Sequence, residues 1–437
     1  MKEIINKVLW LSVAILMLGL PLSKALISIG TVGIIIAAIS YKVVNPTSVP
    51  VRQYLPILAP GLFYIFHLLS LCYSTDTMEG LDQLVRQHAV ITIPFVFGMA
   101  SDWFRKNIKQ LLDVFIYACA LGSMITMIFY IIPESNVRSL TESIGFFQSY
   151  PDHVDRLKFG LYSPFIDRLH FSYLLGFAVL YEGYLLANKR SFSLRLLLVI
   201  LFLITFLFLG GRGAQIALIL SVLVSTIIYF TNHIKRQNLS KSDLQQRFTI
   251  ILGGVVIAAI MIPSLAYRYI PAIQKRYDQM AWELEHFRTG EYLQMDYENF
   301  TTLTRIRALQ NAWSLIEINP VFGVGLGDFT ASMNTANSKY EDRLPVHNQN
   351  FFLYLWASSG LGALLTFFIG LGYYLKTLYQ KSEDFSIKYL GIGYLIFVLI
   401  CSMFDVIWIY QIGNLSLPVF LSSIFILHLN YPESSRN

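Results

Sequence analysis

A few short stretches hold residues that packing alone explains poorly in so apolar a chain. Arg212 sits in Gly210-Gly211-Arg212-Gly213, a tight hairpin between two apolar runs. Glycines there let the backbone turn sharply and let a ligand approach closely. Arg168 and His170 open another apolar run, Arg86 and His88 precede a third, and Asp405 lies near the end of a fourth. Thr304-Arg305-Ile306-Arg307 puts two arginines near the start of a helical stretch, and His347-Asn348 stands where the chain turns apolar again. Ionisable groups at membrane depth are costly and mark function by default. Arginine's planar fork holds phosphate oxygens bidentately, so a group of this kind suits an anionic headgroup such as a lipid-linked phosphate or pyrophosphate. A neutral imidazole at His347 could take a proton from an attacking hydroxyl, since its ordinary pKa is about 6.5. The blander alternatives are snorkelling of Arg212 to headgroups and a hydrogen-bonded interfacial role for His347.

The elements that must position these residues are membrane helices. Hydrophobic residues make up 55% of the chain and charged residues 14%, too little charge to cover a water-soluble surface. A net charge of +6, spread in small clusters between apolar runs, does not suggest nucleic-acid binding. Cys72, Cys119 and Cys401 lie in or beside apolar segments and form no paired motif, so packing is their expected role. The basic start and first apolar stretch lack a small-residue cleavage site and read as an uncleaved first membrane helix.

About 20 apolar residues cross a bilayer. Segments of about that length run near 5–22, 25–41, 54–73, 89–100, 110–132, 169–187, 195–209, 214–231, 249–267, 351–375, 388–409 and 414–430. The expectation is therefore an all-α integral membrane protein of about 12 spans. Its domains are helices 1–9 in 1–267, a polar loop at 268–350, and helices 10–12 with a short tail in 351–437. Lys42 and Arg52, Arg105 to Lys109, Lys189 to Arg195, Lys235 to Arg247, and Lys376 to Lys388 then fall on one side. The positive-inside rule makes that side, with both termini, cytoplasmic. The 268–350 loop is expected outside and partly helical, with stretches at 273–286 and 305–318, the latter stopped by Asn319-Pro320. The run Gly323-Val324-Gly325-Leu326-Gly327 lacks a following Lys-Ser/Thr and the dinucleotide spacing, so it is not a nucleotide loop. The aromatic content of 15% reads mainly as interfacial anchoring.

These segments resemble the O-antigen ligase and polymerase superfamily of bacterial membrane glycosyltransferases. The resemblance rests on Arg305, then Asn319-Pro320 to Gly327, then His347-Asn348 before an apolar helix with Gly360-Leu361-Gly362, together with Arg212-Gly213. The family's aromatic residue four positions after the loop arginine is here Leu309. Arg307 is a second candidate, although the distance to Pro320 favours Arg305. The resemblance implies a GT-C-like fold, an inner-membrane location and a periplasmic active site. The glycan would pass from undecaprenyl pyrophosphate to the lipid A–core of lipopolysaccharide, with inversion. His347 would be the general base, with Arg212 and Arg305 on the departing pyrophosphate. Arg86, Arg168, His170, Arg307, Asn348 and Asp405 would line the substrate site. No cofactor or metal is expected. A polymerase or a protein O-oligosaccharyltransferase of the same superfamily remains the near alternative, and a transporter or flippase of lipid-linked glycan the alternative of another class. A transporter should show two related halves, and no internal repeat is evident.

Overall fold

A computed structural model describes residues 1–46, 53–132, 163–187, 192–237, 267–291, 301–338, 349–381 and 385–429, with isolated positions between 136 and 139 and between 246 and 265. Every regular element among the described residues is helical. In lipid this is the expected outcome, because a helix satisfies its own backbone hydrogen bonds.

The chain opens with α1 (Lys2–Leu22) and α2 (Lys24–Val44), a hairpin joined by Ser23, whose hydroxyl caps α2 by accepting from the Leu26 N–H. Gly30 lets the two backbones meet: a Cβ there would lie 2.6 Å from the Leu16 nitrogen. Small residues at such crossings are how membrane helices gain close packing. The third apolar run is broken at Pro60-Gly61 into α3 (Leu55–Leu58), a short 3-10 turn and α4 (Phe63–Ser70). Then come α5 (Thr77–Gln87), α6 (Ala89–Met99), α7 (Ser101–Ile131), α8 (Arg168–Ala187), α9 (Phe192–Leu209) and α10 (Arg212–Gln237).

The polar loop carries α11 (Pro271–Thr289), α12 (Thr301–Ile318) and α13 (Phe329–Ser338). Both helical stretches expected there are present, and α12 stops at Ile318 before Asn319-Pro320. The chain ends with α14 (Phe351–Lys381), α15 (Phe385–Phe404) and α16 (Gln411–Leu429). α16 is apolar on all sides and is buried almost throughout, the central helix of the bundle.

Among the described residues, eight helices are long and apolar enough to cross a membrane, and Leu55–Ser70 and Arg212–Ile228 are shorter apolar helices. α6, with 11 residues, is too short for a span at 1.5 Å per residue. The expected span at 249–267 lies mostly outside the described residues. Contacts join residues that the charge pattern puts on one side. At one end of the bundle Arg105 donates to the Leu429 carbonyl; at the other Gln411 donates to Ser28, and Asn350 to the Met403 carbonyl.

Arg195 departs from its expected place among loop charges. It lies inside α9, where its guanidinium meets Glu182 of α8 at 2.8 Å and Asp113 of α7 at 3.0 Å. Glu182 is fully buried, and a carboxylate there requires a cationic partner. The triad ties three helices at the end opposite the polar loop.

Candidate functional site

Three arginines from three separate elements meet at the polar end of the bundle. Arg168 is the first residue of α8, behind Asp167, whose carboxylate accepts the Leu169 N–H at 2.8 Å and lies 3.4 Å from His170 Nδ1. Burial pushes the Asp167 carboxyl up, but His170, the Leu169 N–H and Arg168 outweigh it and hold the pKa below the usual range. Arg212 opens α10 directly after the turn at Gly210, whose φ is 71°. Gly213 packs against Phe404, where a Cβ would lie 2.8 Å from the Phe404 Cβ, so α10 is pressed onto the end of α15 just before Asp405. Arg305 comes from the first turns of α12.

Arg305 lies within electrostatic reach of both Arg168 and Arg212, and Arg168 within reach of Arg212. Its field also acts on Asp405 and on Tyr173. Asp405 accepts from its neighbour's Val406 N–H at 2.8 Å and from the Tyr173 hydroxyl at 3.3 Å. Burial raises its pKa, against the pull of His170 and Arg305. The His170 ring sits edge-on to Tyr410 at 5.3 Å. The structure thus brings together Arg168, His170, Arg212, Arg305 and Asp405.

It also adds residues the sequence did not flag. Glu283 of α11 is buried, and one of its oxygens accepts the Thr302 and Leu303 N–H groups at 2.6 and 3.0 Å. These are among the first amides of α12, which no preceding turn can satisfy. Glu283 thereby fixes the start of the helix that carries Arg305, and its charge reaches Arg212. Nothing in the local sequence marks Glu283 for this role. Asp167 was more legible, standing directly before Arg168.

Two further expected site residues make contacts of their own. Arg86 is exposed on α5 and pairs with Asp82 at 2.5 Å, one helical turn away. Arg307 is buried, with Nη1 donating to Gln310 at 3.3 Å, and its place two residues after Arg305 puts it on the opposite side of α12. His347 and Asn348 lie outside the described residues. Nearby, the Asn350 side chain caps α14 by accepting the Phe352 and Leu353 N–H groups at 2.9 and 3.0 Å. Its amide donates to Met403 at 3.1 Å, two residues before Asp405.

The glycine run anchors the far end of α12. Val324 and Gly325 donate their N–H groups to the Ala357 and Ser358 carbonyls of α14 at 2.8 and 3.0 Å, and the Leu361 N–H returns to the Val321 carbonyl at 3.1 Å. α14 opens to receive this segment at Gly360, with φ 83° and ψ 176°, a conformation almost confined to glycine. A Cβ on Gly360 would lie 2.0 Å from the Val321 oxygen, and one on Gly327 would lie 1.8 Å from the Asp76 oxygen. These glycines serve close backbone approach, which agrees with the rejection of a nucleotide loop.

Three like charges held close and partly out of water favour an anion among them. Asp167, Asp405 and Glu283 are committed to N–H or hydroxyl donors at the rim. The arrangement can hold a compact anionic group at the membrane surface. Residues 197–368 match the family model described as O-antigen ligase. The matched stretch contains Arg212, Arg305, the glycine run and Gly360, whereas Arg86, Arg168, His170 and Asp405 fall outside it. No curated protein matches the chain.

Proposed function

The chain carries a domain of the O-antigen ligase superfamily at residues 197–368, and from that premise we propose that this membrane enzyme transfers a glycan from a polyprenyl pyrophosphate. The reading is of an O-antigen ligase in the bacterial inner membrane, with both termini cytoplasmic and the arginine cluster facing the periplasm. The donor is a glycan on undecaprenyl pyrophosphate and the acceptor a sugar of the lipid A–core. The observation that carries it is the meeting of Arg168, Arg212 and Arg305 from three elements. A diphosphate presents enough negative charge to engage several guanidinium groups at once.

In this reading the acceptor hydroxyl attacks the anomeric carbon while the bond to the pyrophosphate oxygen breaks. Arg212 and Arg305 stabilise the charge that grows on the leaving group, with Arg168 beside them. One displacement inverts the anomeric centre. His347 takes the hydroxyl proton. It is three residue steps from Asn350, about 10 Å of chain at most, and Asn350 is pinned beside the Asp405 rim. His170 and Asp405 are assigned to holding substrate. Arg86, Arg307 and Asn348 are assigned the same role, with Arg86 paired to Asp82 and Arg307 bonded to Gln310.

The test is separate Arg212→Ala, Arg305→Ala and His347→Ala substitutions in the native host, with membrane levels confirmed and lipopolysaccharide run on a gel. Loss of long glycan on lipid A–core while lipid-linked polymer accumulates supports the ligase. Single repeats on the core with no polymer would mean a polymerase. Unchanged banding in all three would overturn the catalytic assignment and favour a transporter.

A further inference from the structure

Among the described residues, the end of α12 and the turn after it present an exposed apolar face. Ile318, Val321 and Phe322 are 66%, 61% and 69% exposed, and Trp313, five residues before Ile318, is 48% exposed. In water such a cluster would be a liability, and contiguous exposed apolar surface marks an interaction site.

Its neighbours identify the partner. Val321 is hydrogen-bonded to Leu361 of α14, and the Tyr73 hydroxyl, just after α4, donates to the Phe322 carbonyl. Leu361, Leu365, Phe368 and Ile369 of α14 are exposed, as are Leu68 and Leu69 of α4. α14 is one of the helices long and apolar enough to cross a membrane and α4 belongs to a shorter apolar helix, so an apolar medium suits both exposed faces. The Val321–Phe322 tip bridges the two exposed faces. Gly360 also divides α14 there: residues 351–359 are largely enclosed by protein, and 361–381 supply the roughly 20 residues a bilayer requires. The tip therefore stands where α14 enters the membrane.

The aromatic arrangement fits that level. Trp313 and Trp356 meet edge to face at 5.9 Å, Trp356 donates its indole N–H to the Pro320 carbonyl, and Tyr73 stands 6.3 Å from Phe322. Rings with one polar handle collect at the membrane–water boundary.

We infer that Ile318, Val321 and Phe322, with Trp313 at the boundary, insert into the lipid leaflet on the polar-loop side and seat α12 on the membrane. α12 then runs from the arginine cluster, where Arg305 is within electrostatic reach of Arg168 and Arg212, to α14, on which it packs, and to the lipid. Arg305 is thereby held at headgroup depth. The inference does not depend on the glycan-transfer reading.

The test uses the full chain with Cys72→Ser, which removes the exposed thiol and leaves the buried Cys119 and Cys401. Ile318→Cys and Phe322→Cys are labelled with an environment-sensitive fluorophore in nanodiscs of phosphatidylethanolamine and phosphatidylglycerol. Asn334→Cys, exposed on α13, is the reference. At 318 and 322 we expect blue-shifted emission, strong quenching by lipids spin-labelled near the headgroup and little quenching by iodide, with the reverse at 334. Iodide quenching at 318 and 322 equal to that at 334 would overturn the inference. Protection from both quenchers would also overturn it, because a protein rather than lipid would then cover the face.

Discussion

Asp328 and Thr75, 253 residues apart, are joined by two hydrogen bonds: the carboxylate accepts the Thr75 N–H at 2.7 Å and its hydroxyl at 2.6 Å. A third comes from the Asp76 N–H at 2.9 Å. The last residue of the Asn319–Asp328 segment thus clamps the corner between α4 and α5, where Asp76 caps α5 through the Glu79 N–H. Replacing Asp328 by Ala leaves these donors to water and should cost about 1 kcal/mol, read as a lower Tm in detergent.

The same carboxylate makes the clamp acid-sensitive. Burial is the largest single influence and raises its pKa, but the Thr75 hydroxyl and the two N–H donors together outweigh it and lower the pKa. A group depressed on folding stabilises fully above its unfolded value, and that stabilisation fades as pH falls through the folded one. Melting curves below the ordinary carboxylate range should therefore converge for the native chain and Asp328→Asn, with the native chain ahead near neutrality.

Glu283 acts through α12. Glu283→Gln retains an oxygen for the Thr302 and Leu303 N–H groups, so it should keep the fold and lose only the charge facing Arg212. Glu283→Ala removes the cap as well, at about 1–2 kcal/mol. Equal Tm losses for the two variants would refute the capping role.

Gly360 and Gly372 lie on the same helix and should respond in opposite senses. Gly360→Ala meets the Val321 oxygen in a backbone conformation alanine does not adopt, at a cost above about 1–3 kcal/mol. Gly372 has open space where a Cβ would stand, and alanine there should be neutral or stabilising by up to about 1 kcal/mol. Paired thermal melts check both.

Arg305 and Arg307 separate by mechanism. Arg305→Ala should lower glycan transfer about a hundredfold or more at unchanged folding. Arg307→Ala should chiefly reduce stability, since that side chain is buried in the packing of α12. Transfer rates beside Tm values for both variants decide it.

At the opposite end, Arg195→Leu strands the buried Glu182 and should cost about 3–5 kcal/mol. Adding Glu182→Leu should recover most of that loss, because an apolar pair no longer demands a counter-charge. Failure of the double variant to regain Tm would count against a purely electrostatic role.

The sequence by itself determined what is local. Apolar run length marked most membrane helices, Asn319-Pro320 ended α12 at Ile318, and charge clusters assigned Arg105 and Leu429 to one side. Each of these depends on residues within a few turns of one another. Arg305 and Arg307 are equivalent to hydropathy. Only the tertiary placement of α12 brings Arg305 within electrostatic reach of Arg168 and Arg212 and leaves Arg307 buried. The sequence excludes a nucleotide loop at the glycine run but does not show its task, which is to dock where α14 opens at Gly360 to receive it. Arg195 looked like a loop charge until Glu182 and Asp113 were found beside it. In each case the deciding partner lies on another element, and its distance is set by helix packing.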